Sequence, residues 1–171
     1  MISYLADAAH YSEVIARIPK VEHTLWLGTA DIKDLYTAVP GGRAVPLLAD
    51  LADCAARGVV VRLLHAKEPG PNFQSDFDRY PILVDGLERA LCPRVHFKLI
   101  IFDLTLAYIG SANLTGAGIG MKSSSRRNFE AGILTDDVDL VAAAIEQFDA
   151  VWRGDHCGAC GRRAYCPDPI A

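Results

Sequence analysis

Two hydrophobic periodicities alternate along the chain. Apolar residues that recur every three or four positions predict amphipathic helices at residues 4–18, 46–58 and 137–152. The first of these helices is expected to carry His10 on its exposed face. Shorter runs of apolar and β-branched residues predict strands, which are in chain order 23–28, 59–64, 95–103, 105–110 and 128–134.

The segments between these elements are shorter or richer in turn residues. Short helices are expected at 31–36 and around 83–87, and the Pro- and Gly-containing stretch 68–78 is expected to be a loop. Because helices and strands alternate, the sequence predicts an α/β fold with a mixed β-sheet and helices on both faces.

The predicted strand 95–103 contains two polar residues that its hydrophobic pattern does not require. His96 and Lys98 are two positions apart, so in a strand both side chains project from the same face. A nucleophile and a cation would then share one pocket. Asp103 is an odd number of residues from both, so it is expected to face the other way or to lie in the following turn.

Small and amide side chains follow the next predicted strand. The run Gly110-Ser111-Ala112-Asn113 would let backbone N–H groups and the Asn113 amide approach an anion closely. Further along, Asn128-Phe129-Glu130 opens the predicted strand 128–134, which would carry Glu130 to the same region.

These positions spell H-x-K-x4-D, G-S-x-N and N-x-E in chain order, a pattern that resembles the HKD signature of the phospholipase D superfamily. The resemblance is best over residues 95–135 and implies a phospholipase D-like sheet. It also implies that His96 attacks phosphorus and that Glu130 accepts a hydrogen bond from the imidazole. Lys98 and Asn113, assisted by Ser111, would neutralise the phosphate oxygens, and Asp103 would hold local structure. No cofactor is implied for catalysis.

Only one complete HKD motif is present. The segment His65-Ala66-Lys67 is the other H-x-K match, and it lacks the downstream Asp and the G-S-x-N run. Because the family's chemistry uses two histidines, the resemblance implies a site shared across the two-fold axis of a homodimer.

Composition sets the outer limits. With 171 residues, of which 51% are hydrophobic, the chain can bury one core, so we expect a catalytic domain at 1–153 and a short tail at 154–171. No apolar run reaches the roughly 20 residues that span a bilayer, and no charged leader is seen, which favours a cytoplasmic protein without a transmembrane segment.

The net charge is −4, so the chain lacks the overall positive charge of a general nucleic-acid binder. Affinity for phosphate would have to come from local basic patches. The most basic stretch lies in the loop 114–127, which contains Lys122, Arg126 and Arg127. This loop is either a solvated surface segment or a contact to the phosphate backbone of the substrate.

The tail is rich in cysteine. Cys157, Cys160 and Cys166 are spaced C-x2-C-x5-C, and His156 adjoins them, which predicts a structural zinc site. The spacing also resembles the cluster-binding tail of some iron–sulfur nucleases, in which case Cys54 or Cys92 would supply the fourth ligand. Three unligated thiols are the remaining alternative.

The function that the motifs favour is a metal-independent endonuclease that cleaves DNA or RNA through a phosphohistidine. One alternative is a phospholipase D or phosphatidyltransferase that acts on phospholipids. Another is a non-catalytic module that uses the fold to bind nucleic acid.

Overall fold

A seven-stranded mixed sheet forms the centre of the computed structural model, which describes residues 1–38, 41–120 and 122–170. The strands in the described residues are β1 (Ile2–Ala6), β2 (Thr24–Thr29), β3 (Ile32–Lys33), β4 (Tyr36–Ala38), β5 (Ala44–Pro46), β6 (Val60–His65), β7 (Leu87–Leu91), β8 (Lys98–Phe102), β9 (Leu106–Gly110), β10 (Leu114–Thr115) and β11 (Ala131–Thr135).

The described residues also form five α-helices and two 3₁₀ turns. In chain order they are α1 (Ala9–Glu13), α2 (Leu47–Ala56), α3 (Pro71–Phe77), α4 (Leu83–Gly86) and α5 (Val138–Trp152), with 3₁₀ turns at Ile15–Lys20 and Arg163–Tyr165. No helix of the described residues is long and apolar enough to cross a membrane.

The large sheet has the strand order β1-β11-β9-β8-β2-β6-β7. Strands β2, β6 and β7 are parallel, whereas β8, β9, β11 and β1 each run antiparallel to their neighbours. Two smaller pairs, β10 with β3 and β4 with β5, lie outside it. The predicted α/β class and mixed sheet are therefore confirmed.

Both faces of the sheet are covered, which explains why its central strand, β8, is apolar at every position after Lys98. On β8, Ile100 and Phe102 belong to the core on the α2 side, whereas Leu99 and Ile101 belong to the core on the α5 side. Successive strand residues point to opposite faces, so a strand between two layers of helix must be hydrophobic throughout.

The N-terminal prediction is wrong in part. Residues 2–6 form the edge strand β1, paired with β11, and the helix is reduced to Ala9–Glu13 with a 3₁₀ turn behind it. His10 is fully buried instead of exposed. Its Nδ1 lies 3.0 Å from the Asp7 carbonyl oxygen, and its ring meets Tyr108 edge-on.

Three further local predictions need correction. The segment expected as a short helix at 31–36 contains the strands β3 and β4, and the expected loop at 68–78 contains helix α3. Strand β7 at the sheet edge was not predicted. Its sequence, Leu87–Leu91, has two charged residues in five and a single buried residue, Leu87, and the strand pairs only with β6.

Strand register brings the polar motifs to one end of the sheet. Lys98 of β8 pairs with Gly110 of β9, and Gly110 pairs in turn with Gly132 of β11. The carboxyl ends of β2 and β6 lie at the same end, because Gly28 pairs with Leu99 and Thr29 pairs with His65. Segments 96–98, 111–113 and 128–130 are therefore neighbours in space.

Candidate active site

His96 and Lys98 lie side by side, but β8 begins at Lys98 and not at the predicted residue 95, so His96 stands two residues before the strand. The imidazole of His96 is exposed, whereas Lys98 is only 8% exposed. Lys98 Nζ is 3.4 Å from His96 Nδ1 and donates a hydrogen bond of 2.7 Å to the His96 carbonyl oxygen. The structure thus brings together the histidine and the lysine that the sequence pattern predicts on one face.

The Lys98 ammonium sits in a partly desolvated place. Burial lowers the pKa of Lys98 below its ordinary value, and the negative charge of Glu130 opposes that shift. An ammonium with few water neighbours interacts strongly with any anion that reaches it. This arrangement suits the neutralisation of a phosphate oxygen.

Asn113 is held by residues at the carboxyl end of β2. Its Oδ1 accepts a hydrogen bond of 3.2 Å from the Asp31 N–H and lies 3.3 Å from the Thr29 hydroxyl. The same Thr29 oxygen accepts a bond of 3.1 Å from the Leu114 N–H. With the amide oxygen engaged in this way, the amide nitrogen is left to donate to a ligand.

Glu130 immediately precedes β11, and its carboxylate accepts hydrogen bonds from two neighbouring side chains. The Ser111 hydroxyl donates to one carboxylate oxygen, and Asn128 Nδ2 donates to the other at 3.0 Å. The Ser111 hydroxyl in turn accepts from the Ala131 N–H at 3.1 Å. The expected hydrogen bond from the His96 imidazole to Glu130 is not formed within the described chain, where Lys98 Nζ lies beside His96 Nδ1 instead.

Gly110 has a steric role that the sequence does not reveal. A Cβ at Gly110 would collide with the Tyr108 hydroxyl, and one at Gly132 would come within 2.6 Å of the same ring. Tyr108 is fully buried, and its hydroxyl accepts a 3.3 Å hydrogen bond from the Ala112 N–H. The two glycines therefore make room for the ring that supports the Ser111–Asn113 segment.

Two further acidic residues, Asp7 and Asp31, lie near the site. The backbone N–H of Asp7 donates to the Glu130 carbonyl at 3.2 Å, and the Glu130 N–H donates to Asp7 Oδ1 at 3.3 Å. Asp31 orients Asn113 and also forms ion pairs with Lys33 at 3.2 Å and with Lys67 at 3.3 Å. Only the pairing of β1 with β11 could have pointed to Asp7.

Asp103 lies at the opposite end of β8, in the turn before β9, with a φ of +49°. Its carboxylate accepts three backbone hydrogen bonds, from Glu22 at 3.2 Å, His23 at 2.7 Å and Thr24 at 2.9 Å. Partial burial alone would raise the pKa of Asp103, but these N–H donors outweigh it and lower the pKa. This carboxylate ties the hairpin to β2 and does not reach the site.

The basic loop lies next to Glu130. Lys122 and Arg126 are exposed, Arg127 is half-buried, and Arg126 Nε donates to Ser123 Oγ at 3.4 Å. Within the described residues no salt bridge joins any of the three to a carboxylate. Their charges are thus available to a polyanion, although contact with one stays a prediction.

The predicted zinc ligands do not converge. Among the described residues no group of three or more His, Cys, Asp or Glu side chains is placed to hold a metal ion. Cys160 Sγ instead accepts a hydrogen bond of 3.7 Å from Arg94. Cys54 is buried elsewhere in the fold, where its thiol donates a hydrogen bond of 3.4 Å to the Ile18 carbonyl. The arrangement of the side chains does not support the predicted zinc set or a role for Cys54.

The cysteines nevertheless share one place. Cys92, Cys157, Cys160 and Cys166 line one small cavity of about 20 Å³, and His156 lines a larger cavity beside it together with Cys92, Cys157 and Cys160. The pKa of the Cys160 thiol is lowered, because it accepts hydrogen bonds from the Arg162 N–H and from the Arg94 guanidinium.

Comparison with solved structures identifies the fold. NucT from Helicobacter pylori superimposes with a TM-score of 0.62 at 15% identity, covering 87% of this chain and 94% of NucT. Nuc from Salmonella typhimurium, a phospholipase D family member, gives 0.60 at 17% identity and covers 89% and 95%. TrmBL2, an archaeal chromatin protein with a novel mode of DNA binding, gives 0.60 at 17% identity and covers 88% and 51%.

At the level of sequence, none of the curated proteins compared with the chain matches it. A family model described as "Cardiolipin synthase, PLD-like domain" matches residues 14–152, which include every residue of the HKD pattern and leave out the cysteine-rich tail. This match confirms the resemblance that the motifs indicated: the chain belongs to the phospholipase D superfamily.

Proposed function

We propose that this phospholipase D superfamily member is a phosphodiesterase that cleaves DNA or RNA without a catalytic metal, through a phosphohistidine formed on His96. The observation that carries the proposal is the exposed His96 imidazole held beside the buried Lys98 ammonium. Asn113 and Glu130 lie at the same end of the sheet, so nucleophile, cation, amide donor and carboxylate are all at hand.

The first step is an in-line displacement. A lone pair of His96 Nε2 forms a bond to phosphorus while the bond from phosphorus to the leaving oxygen breaks, and that oxygen takes a proton from an acid. Attack through Nε2 requires the ring proton to be on Nδ1. Lys98, which lies beside Nδ1 in the free protein, would then turn to the phosphate and leave Nδ1–H to Glu130.

The second step restores the enzyme. Water attacks the phosphohistidine, the same acid now accepts its proton as a base, and the bond from phosphorus to Nε2 breaks. Lys98 and Asn113 would stabilise the negative charge on the non-bridging oxygens in both steps. The Ser111 hydroxyl supports this arrangement by fixing Glu130.

The acid is proposed to be the partner's His96 in a homodimer. The sequence has a single HKD motif, so one chain supplies one such histidine. Phe129, next to Glu130, is 96% exposed, although an aromatic ring is among the residues most enriched in protein interfaces. A second copy packed over Phe129 would cover this ring and bring its own site close.

A polyanionic substrate agrees best with the surroundings of the site. The loop with Lys122, Arg126 and Arg127 leads directly into Asn128 and Glu130. TrmBL2, which shares the fold, binds DNA according to its description. The description of the matched family favours the rival function, phosphatidyl transfer or hydrolysis of a phospholipid.

A substrate panel tests the proposal. The purified protein is incubated in excess EDTA with single-stranded DNA, double-stranded DNA, RNA and phosphatidylcholine vesicles, and products are followed over time. We expect cleavage of at least one nucleic acid that persists in EDTA. Turnover of the vesicles alone, or cleavage that EDTA abolishes, would contradict the proposed substrate or mechanism.

We propose in addition that the tail, predicted as 154–171, binds a structural metal through four thiolates, with Cys92 in place of His156. Support comes from the shared cavity of the four cysteines and from the arginines that line it, Arg94, Arg162 and Arg163, whose charges would offset the thiolates. The thiols as they stand do not converge, and they would need to rotate about χ1 to do so. Four cysteine ligands suffice for either a zinc ion or an iron–sulfur cluster. We prefer zinc because it binds without an assembly step.

Metal analysis of protein purified without chelator tests this proposal. We expect about one zinc per chain, a value that falls in Cys92→Ser and in Cys160→Ser but not in His156→Ala or Cys54→Ser. Iron and sulfide with visible absorbance would identify a cluster instead. Protein that carries neither metal at a meaningful ratio to the chain would overturn the proposal.

A further inference from the structure

A second basic feature lies beside His96. A cleft of about 380 Å³ is lined by Pro93, Arg94, Val95, His96 and Arg162. The side chain proposed as nucleophile therefore shares a concave surface with two guanidinium groups. None of these five lining residues is acidic.

Arg94 is directed to this cleft by the local backbone. Pro93 and Arg94 form a turn, which a hydrogen bond of 2.9 Å from the Val95 N–H to the Cys92 carbonyl closes. Val95 is buried, whereas Arg94 and His96 on either side of it are exposed. Two residues of chain span at most about 7 Å. Successive phosphates of a nucleic-acid strand are separated by a similar distance, so a phosphate at His96 would place its neighbour near Arg94.

Arg162 comes from the tail, beyond the residues that match the family model. Its Nη1 donates a hydrogen bond of 3.0 Å to the Pro93 carbonyl, which docks the tail against the segment that precedes His96. A second bond from the Leu91 N–H to Asp168, at 3.4 Å, fastens the tail to the edge strand β7. The tail thus delivers a cation to the cleft from far along the sequence.

Both guanidinium groups keep donors to spare. Arg94 has one bond through Nη1 to Cys160, and Arg162 has one through Nη1 to Pro93. A guanidinium carries five N–H donors in a planar fork that matches the oxygens of a phosphate. The bonds already made orient each fork without saturating it.

We propose that Arg94 and Arg162 bind the phosphate adjacent to the scissile one on a nucleic-acid strand. This inference rests on the proposed nuclease function and specifies which part of the substrate the cleft recognises. It also gives the tail a role in substrate binding. A phospholipid with a single phosphodiester has no second phosphate to offer here, so the pair favours a polyanionic strand over a lipid headgroup.

Binding measurements in the His96→Ala background test the pair without cleavage of the probe. The dissociation constant of a fluorescent 12-residue oligonucleotide, of the type that the panel shows to be cleaved, is measured over a range of salt. We expect Arg94→Gln and Arg162→Gln each to weaken binding by about 5- to 10-fold and to reduce the salt slope by about 1. Arg162→Lys, which keeps the charge, is expected to recover most of the affinity.

Arg17→Gln serves as the matched control. Arg17 lines a surface at the far end of the sheet beside Asp103, so the same loss of charge there should leave both affinity and salt slope unchanged. A thermal melt of each variant checks that the fold and the docked tail survive. If Arg162→Gln loses stability, Arg94→Gln and Arg162→Lys still decide the question.

The failures can be told apart. Unchanged affinity and salt slope in the double variant Arg94→Gln/Arg162→Gln, with tight binding by the parent, would overturn the role of the arginines and leave the nuclease proposal standing. If the parent binds anionic vesicles but no oligonucleotide, both the nuclease function and this inference fail.

Discussion

Replacement of His96 by alanine is expected to lower the rate of phosphodiester cleavage by at least about three orders of magnitude. The reason is that in the proposed mechanism the imidazole forms the bond to phosphorus, and among the described residues no other nucleophile is held beside Lys98 in the same way. The quantity to measure is kcat on the nucleic acid identified by the panel, in excess EDTA, with the thermal unfolding midpoint as the test of folding.

His23→Ala is the control for this change. His23 is also an exposed histidine, but it lies at the opposite end of the sheet, where its backbone donates to Asp103. Its loss should leave kcat unaltered. Substantial cleavage by His96→Ala in the absence of contaminating nuclease would eliminate the covalent mechanism.

Mixtures of the same variant with wild type reveal whether two chains build one site. If each site needs both histidines, dimers that contain one His96→Ala chain are inactive, and an equal random mixture retains about one quarter of the wild-type activity. Independent sites would retain about one half. Co-expression of the two chains with different affinity tags ensures random pairing.

Loss of the charge at Lys98, as in Lys98→Met, is expected to lower kcat by about 10²- to 10³-fold, the range found when a preorganised electrostatic donor is removed. Methionine keeps most of the side-chain volume at this buried position, so the sheet should remain folded. A loss smaller than about tenfold would show that Lys98 does not neutralise the developing charge.

The pH profile provides an independent readout of Lys98. Burial lowers its pKa, and the ammonium is the active form, so activity should fall on the alkaline side at a lower pH than an ordinary lysine would give. Lys98→Arg, whose charge persists at any accessible pH, is expected to move that alkaline limb upward even if its kcat is lower. An alkaline limb that does not move would assign it to another group.

The central strand of the sheet could be predicted from the sequence because both of its faces are buried. Strand β8 is covered on both faces, so its continuous apolar run could have no other place than the middle of a sheet. An argument from burial does not predict the two edge strands of the sheet. Strand β1 has one buried residue, Leu5, and strand β7 has one, Leu87. Their pairing partners, β11 and β6, decide their conformation.

The site was predictable where its residues are close in sequence. His96 and Lys98 follow from strand periodicity, and Asn113 and Glu130 from their resemblance to a family pattern. By contrast, Asp7 contacts Glu130 across 123 residues, and Arg162 contacts Pro93 across 69. Such contacts form only in the assembled fold, so no local sequence pattern predicts them. For the same reason the spacing within the tail points to His156 as a ligand but not to Cys92, which the fold places beside the tail cysteines.

The two segments that lie farthest apart in the chain, β1 with Asp7 and the tail with Arg162, meet the residues beside Glu130 and His96 respectively. During synthesis on the ribosome the N-terminal strand has no partner until β11 emerges, and the cleft is incomplete until the segment around Arg162 has been released. The surroundings of Glu130 and His96 are therefore complete only after β11 and the segment around Arg162 have both been made.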